Sequence, residues 1–348
     1  RTQHIRAIVW FSQERCVWYA VSSIADLKTN GESGVSKRIL VTGASGWIGH
    51  RLCAQLHSTG FSVRGSVRLG RNTQPGVRAV VMEALSDAND WSAALADIET
   101  VVHLAARVHV MHDKAESPLA EYRRVNVDGT ANLARQAAAA GVKRFIFISS
   151  VKVNGEETLS GNPFQADAEA APQDPYGISK MEAEIQLKAI AHETEMEFVT
   201  IRPPLVYGPG VKANFRALIK LVGLGLPLPL GAIHNKRSMV YIDNLIDLVV
   251  TCIDNPQAAN QTFLVSDGND VSTPGLIKTL AHAMHKPARL VPVPVWLLKV
   301  LAFLAGKGGA IERLSSNLQV DISKTTHLLG WTPPISVDDA MRHTVEVA

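Results

Sequence analysis

Apolar residues first gather into a repeating pattern at Lys37. Arg38 to Thr42 is a short apolar run of the buried-strand type, and a glycine-rich turn follows it directly. Arg51 to His57 then carries apolar side chains at helical spacing and is closed by Gly60. Phe61 to Arg68 reads as a second strand, which makes a β-α-β unit with parallel strands. Further strands are predicted at Ala79 to Met82, Val101 to Ala105, Arg144 to Ser149 and Phe198 to Arg202, with helices at Asn126 to Ala140 and Tyr176 to Glu193. Strands alternating with helices predict an α/β fold, a Rossmann-type doubly wound parallel sheet. The alternation weakens after about Gly210, where Leu-Pro-rich loops run from Leu224 to Leu230 and from Pro292 to Pro294. The expected organisation is an N-terminal extension over 1–36, an NAD(P)-binding domain over 37–210 and a smaller, mainly substrate-binding lobe over 211–348, with the chain free to cross between them.

Two apolar stretches fall short of a membrane span. Residues 7–21 are broken by Gln13, Glu14 and Arg15, and Val291 to Ala305 opens on Pro292 and Pro294 and carries Lys299 in its middle. The second is expected as a buried or groove-lining helix, and no membrane insertion is expected. The 348 residues, 46% hydrophobic and 19% charged, suit a sizeable folded core and exclude a disordered or fibrous chain. A net charge of +3 is too small to point to nucleic acid as a partner. Cys16, Cys53 and Cys252 have no paired spacing, so neither a disulfide framework nor a metal site is expected, and a reducing cytoplasm fits.

The turn after the first strand is Gly43-Ala-Ser45-Gly46-Trp47-Ile48-Gly49. Glycines there allow a tight turn, a close approach of backbone to a pyrophosphate and close helix packing, while the helix N-terminus presents N–H groups and partial positive charge. Gly43, Ser45, Gly46, Trp47, Ile48 and Gly49 are therefore candidate cofactor contacts. An acid at the end of the second strand would accept the ribose 2′-hydroxyl and repel a 2′-phosphate. None is present from His50 to Met82, whereas Arg51, Arg64, Arg68, Arg71 and Arg78 are, and Arg68 stands where the acid would. The expected cofactor is NAD(P), with NADP favoured over NAD; the other reading makes Arg68 and Arg71 solvated loop charges.

Tyr176-Gly-Ile-Ser-Lys180 opens a helix with Tyr176 and Lys180 four apart, on one face. A phenol is a poor base at its free pKa of about 10, and a nearby ammonium stabilises the phenolate. Lys180 would also hold ribose hydroxyls, and Ser149-Ser150 ends a strand upstream, where a serine hydroxyl can hold a substrate oxygen.

With these in order, the sequence resembles the extended short-chain dehydrogenase/reductases, in particular the nucleotide-sugar epimerase/dehydratase group typified by UDP-glucose 4-epimerase. The resemblance runs from about Arg38 to the C-terminus through Thr42-Gly-Ala-Ser-Gly-Trp-Ile-Gly49, Val102-His-Leu-Ala-Ala106, Val125-Asn-Val-Asp-Gly-Thr130, Ile148-Ser-Ser-Val-Lys-Val-Asn-Gly155, Tyr176-Gly-Ile-Ser-Lys180, Arg202-Pro-Pro-Leu-Val-Tyr-Gly-Pro209 and Leu329-Gly-Trp-Thr-Pro333. It implies Tyr176 as acid/base, Lys180 as its electrostatic partner and ribose ligand, and Ser150 as the hydroxyl partner, with Ser149 structural. It further implies Ala105 and Ala106 in the cofactor groove, Asn126 supporting the active-site helix and Pro203 near the nicotinamide. Asn214 and Phe215 match nucleotide-holding positions, with lobe packing as the alternative, and Arg237 matches a diphosphate-binding arginine. A homodimer through two helix faces is usual in the family.

Departures from the pattern narrow the chemistry. Leu205 stands where an asparagine is expected, Ala84 where an acid often meets the adenine, and Asn154 where a tyrosine is usual. Lys152 is unusual in this pocket and is a candidate substrate contact, with a solvent-facing lysine as the alternative. His103 and His109 receive no catalytic role. Val151 and Lys152 replace the acids that a dehydratase places after the serine, which leaves a UDP-hexose 4-epimerase or an NADPH-dependent reductase of a UDP-4-keto-6-deoxy-N-acetylhexosamine from surface-polysaccharide synthesis. A non-catalytic NADP-binding sensor or scaffold would have lost Ser150, Tyr176 or Lys180, and all three are present.

Overall fold

The computed structural model describes residues 36–108, 117–304, 306 and 308–346. The expected extension over 1–36, apart from Ser36, and His109 lie outside the described residues.

The strands are β1 (Arg38–Thr42), β2 (Ser62–Val67), β3 (Arg78–Val81), β4 (Thr100–His103), β5 (Arg144–Ile148), β6 (Glu197–Arg202), β7 (Leu205–Tyr207), β8 (Met239–Tyr241) and β9 (Gln261–Leu264). The helices are α1 (Trp47–Ser58), α2 (Ser92–Leu95), α3 (Pro118–Tyr122), α4 (Gly129–Ala139), α5 (Pro175–Glu193) and α6 (Ala213–Gly223), then α7 (Ile242–Asp254), α8 (Thr273–Ala283), α9 (Val295–Leu304), α10 (Gly308–Ser315), α11 (Ser323–Leu329) and α12 (Val337–Glu346).

Seven strands form one sheet in the order β3-β2-β1-β4-β5-β6-β9, every pair parallel. All residues of β4 and β5 are buried, as a parallel strand covered on both faces requires. One core cluster gathers Ile39, Val41, Leu52 and Leu56 with Leu245 and Val249 of α7, and a second gathers Leu40, Leu133, Phe145, Phe147 and Leu187. β7 and β8 make a separate parallel pair that leads the chain past the ends of β6 and into α7.

Six main-sheet strands fall where the hydrophobic runs predict them. β9 is the strand the pattern does not announce: Gln-Thr-Phe-Leu is four residues long, yet it docks beside β6 with Phe263 opposite Ile201. The chain thus returns to the main sheet well beyond Gly210. Of the buried or groove-lining helix expected over 291–305, α9 is the groove-lining form: Leu298 and Ala302 face the core, Lys299, Val300, Phe303 and Leu304 line a groove with Glu312, and Trp296, Phe303 and Leu304 are exposed. No helix among the described residues is long and apolar enough to cross a membrane.

Candidate active site

In a doubly wound sheet, ligands bind beyond the carboxyl ends of the central strands. Here those ends are held in place by a buried histidine. His103, the last residue of β4, lies between the Thr42 hydroxyl (Nδ1 to Oγ1, 2.7 Å) and the Thr130 hydroxyl (Nε2 to Oγ1, 2.9 Å). Burial and then the charge of Lys180 push its pKa down to about 3, so it stays neutral and serves as a tie between β1, β4 and α4. Thr42 Oγ1 in turn accepts from the backbone N–H groups of Leu104 and Ala105, which fixes the Ala105–Ala106 segment beside the glycine turn.

That turn has the shape a pyrophosphate needs. Gly43 has φ +67°, and the Gly46 N–H closes the turn on the Gly43 carbonyl at 2.9 Å. A Cβ at Gly49 would sit 2.2 Å from the same carbonyl oxygen, so only glycine lets α1 approach this closely. Gly46 caps α1 with no side-chain hydrogen bond, leaving the first turn to meet an anion with its backbone. Trp47 spends its indole N–H on the Pro209 carbonyl (2.8 Å), joining the turn to the loop after β7. Of the five arginines near this edge, three are engaged or misplaced. Arg51 pairs with Asp243, Arg64 donates to the Ala93, Ala94 and Ala96 carbonyls behind α2, and Arg78 begins β3 at the opposite edge of the sheet. Arg68 and Arg71 remain exposed just past β2.

Opposite, β5 delivers Ser149 and Ser150. The Ser149 hydroxyl donates to Glu184 Oε1 at 2.5 Å and is buried, while Ser150 is half-buried and caps the short 3₁₀ turn Val151–Val153 by accepting from the Lys152 N–H. α5 starts against that turn. Asp174 caps it through the Gly177 N–H (2.6 Å), and a Cβ at Gly177 would lie 2.9 Å from the Lys152 carbonyl oxygen. Gly177 therefore lets the Tyr176 end of the helix press on the Ser150 segment. The Tyr176 ring meets Tyr122 edge-on, with centroids 6.1 Å apart.

Lys180 is 2% exposed, donates to the Ile148 carbonyl at 2.8 Å, and lies 4.4 Å from the Phe147 ring and 6.0 Å from the Tyr176 ring. Burial, opposed by Glu184, pushes its ammonium down to about 7. Burial, then Asp174 and Tyr122, push the Tyr176 phenol up. Since folding lowers the lysine pKa from an unfolded value near 10.4, the charge costs stability fully below pH of about 7, and that cost fades as pH rises from about 7 to about 10.4. The thermal stability of Lys180→Met relative to the parent is therefore expected to be highest at pH 6 and to fall by pH 10. Melting curves showing a constant difference would refute a strained ammonium.

Asn126, in the π-helical turn Arg123–Asp128, donates to Ser179 Oγ and the Arg107 carbonyl (both 3.0 Å) and accepts from the Arg107 N–H (2.8 Å). Pro203 is buried, and its carbonyl accepts from the Val151 N–H at 3.0 Å, close behind Ser150.

On the substrate side, Lys152 is not a free ammonium. It pairs with Glu156 at 2.9 Å and with Asp174, which hold its charge above the usual lysine range against opposing burial. Arg237, whose guanidinium burial pushes down against the opposing charge of Glu156, donates to the Arg313 carbonyl (3.0 Å) and to Ser316 Oγ (3.1 Å). Asn214 is exposed at the start of α6. Phe215, beside it, is 4% exposed and stacks on Tyr207, the arrangement that the lobe-packing alternative describes.

A network that the motifs do not single out supports all of this. Arg202 grips Glu184 with two nitrogens (2.9 and 2.6 Å) and reaches Asn154 Oδ1 (3.1 Å), locking β6, α5 and the Ser150 segment together. Its signal is a glutamate four residues after Lys180, on the buried face of the same helix.

A glycine turn on one side of the sheet's carboxyl edge and a serine, tyrosine and lysine on the other define an NAD(P)-dependent enzyme of the extended short-chain dehydrogenase/reductase type. The chain belongs to the NAD-dependent epimerase/dehydratase family, whose model matches residues 39–266. A Vibrio cholerae UDP-glucose 4-epimerase is 50% identical over 318 residues, 91% of this chain and 97% of the relative. The N-acetyl-α-D-glucosaminyl-diphospho-ditrans,octacis-undecaprenol 4-epimerase of Escherichia coli O157:H7 is 28% identical, covering 90% of this chain and 95% of the relative. Among solved structures, a UDP-glucuronic acid 4-epimerase from Bacillus cereus in complex with NAD has the same fold, with a TM-score of 0.71 and 23% identity over 89% of this chain and 98% of that one.

Proposed function

We propose that the protein acts on a UDP-hexose by hydride transfer at C4, as a UDP-glucose or UDP-N-acetylglucosamine 4-epimerase. The observation that carries this is the pressing of the Tyr176 end of α5 onto the Ser150 segment, opposite the glycine turn. A bound nicotinamide would supply reversible hydride transfer at C4. Tyr176 takes the C4 hydroxyl proton as hydride leaves and gives it back on return, and Ser150 holds the same oxygen. Gly43, Gly46 and Gly49 hold the pyrophosphate by backbone, Lys180 the ribose hydroxyls, and Ala105, Ala106 and Pro203 line the groove. Both curated relatives are named for 4-epimerases, one of a UDP-sugar and one of a diphospho-linked sugar, which supports a diphosphate contact for Arg237. Lys152, held by Asp174 and Glu156, is assigned to a sugar substituent. The substrate pocket draws mainly on residues after 210, and the family's two-helix dimer and a cytoplasmic setting belong to the same reading.

The experiment is to incubate the protein separately with UDP-glucose, UDP-N-acetylglucosamine and a 4-keto-6-deoxy UDP-sugar. Isomerisation of either of the first two without added reductant is expected. Consumption of one NADPH per 4-keto sugar, with no isomerisation, would replace this reading by the reductase, which the exposed Arg68 and Arg71 favour.

NADP is assigned over NAD on the same two arginines. Arg68→Asp is expected to weaken the relative affinity for NADP over NAD by about 10- to 100-fold, the loss of one charge-assisted phosphate contact and the gain of a repulsion. An unchanged ratio in a dinucleotide titration would place 2′-phosphate recognition elsewhere.

A further inference from the structure

Among the described residues, the exposed large apolar side chains concentrate on one part of the molecule. Trp296, Val300, Phe303 and Leu304 follow one another on α9 at helical intervals of four, three and one and are 67%, 48%, 79% and 76% exposed. Leu226 and Val291 extend the patch, because Leu228 and Leu290 bridge the loop after α6 to the segment entering α9. α9 packs on α10 as a helical hairpin, and Leu298 and Ala302 hold its inner face.

The charge around this patch is mainly basic, with Glu312 as its acid. Between Val271 and Ile311 the chain carries Lys278, Lys286, Arg289, Lys299 and Lys307 and no Asp or Glu; the first acid is Glu312, beside Lys299 in the hairpin groove. Lys286, Arg289 and Lys299 are exposed. A second copy docked face to face would bring these like-charged rims together. An anionic lipid surface instead offers the opposite charge, and an apolar boundary layer that suits a tryptophan beside aliphatic residues. At 10 residues, α9 is about 15 Å long, half a hydrocarbon core, so it lies on a bilayer and does not cross it.

We infer that the α9–α10 hairpin docks the protein peripherally onto anionic phospholipid bilayers, with Trp296 and Phe303 entering the headgroup boundary and the surrounding lysines and arginine meeting lipid phosphates. The hairpin is tied to the candidate substrate pocket. The Arg313 carbonyl and Ser316 accept from Arg237, and the Leu314 carbonyl accepts from Asn235 and Thr273. Docking therefore sets the Arg237 side of the pocket toward the membrane. The inference stands apart from the sugar chemistry, because it concerns where the enzyme sits and not what it converts.

The test is flotation of the full-length protein with vesicles of phosphatidylcholine alone and with about one third phosphatidylglycerol. Binding to the anionic vesicles at least tenfold above the neutral ones, weakened by 0.5 M salt, is expected. The variant Trp296→Ser/Phe303→Ser should lose at least tenfold of that partition, as should Lys286→Glu/Arg289→Glu. Turnover of soluble UDP-sugar and thermal unfolding should be unchanged in both. Equal recovery with both vesicle types, or anionic binding that neither variant reduces, would overturn the inference. So would a concentration-dependent dimer abolished by the first variant, which would assign the face to a second copy.

Discussion

Tyr176→Phe is expected to lower turnover by about 10²- to 10⁴-fold, the contribution of a positioned acid/base, while dinucleotide affinity changes less than about threefold. The substitution removes one oxygen and keeps the ring that meets Tyr122 edge-on. The phenol is pushed up by burial, Asp174 and Tyr122. Lys180, pushed down to about 7, is itself only partly charged near neutrality. Initial rates of sugar isomerisation, read beside a fluorescence titration with dinucleotide, check this. Full activity in the variant would remove Tyr176 from the chemistry, and lost dinucleotide binding would make it a structural residue.

Legibility from sequence followed how local the cause of each feature is. β1, β4, β5 and β6 are buried on both faces, so their apolar runs stand out between glycines and polar turns. β7, β8 and β9 are three or four residues long, and their pairing is decided by the strands they meet, which no short window contains. Within the site, Tyr176 and Lys180 are legible because helix geometry places them on one face, and the glycine turn because only glycine fits it. Charged side chains were harder. Arg51, Arg64 and Arg78 look equivalent to Arg68 along the chain, and only the fold shows that the first two are occupied and the third is at the wrong edge. α9 was legible only in part. Its apolar composition suggests burial, but Leu298 and Ala302, with Val295 packed partly beside the core, suffice to anchor it, and Trp296, Val300, Leu301, Phe303 and Leu304 are exposed.

Replacing Arg202 by Met is expected to destabilise the fold by about 3–5 kcal/mol, because it strands a carboxylate inside the protein. The Arg202 and Glu184 side chains are 5% and 3% exposed, and in the variant Glu184 would keep, among the described residues, the Ser149 hydroxyl as a hydrogen-bond partner and the partly charged Lys180 as a neighbour, without the bidentate guanidinium. For a chain of this size, at about 2.1 cal/mol/K of unfolding entropy per residue, each kcal/mol lowers the melting temperature by about 1.4 °C, so a drop of about 4–7 °C is expected. Activity should fall further than the folded fraction, since Glu184 also holds Ser149, the neighbour of Ser150, against the helix that carries Tyr176. The double variant Arg202→Met/Glu184→Leu removes the stranded charge and should recover most of the stability but not the rate. A double variant as unstable as the single one would mean that the bidentate geometry itself holds β6 to α5, and that charge burial does not set the cost.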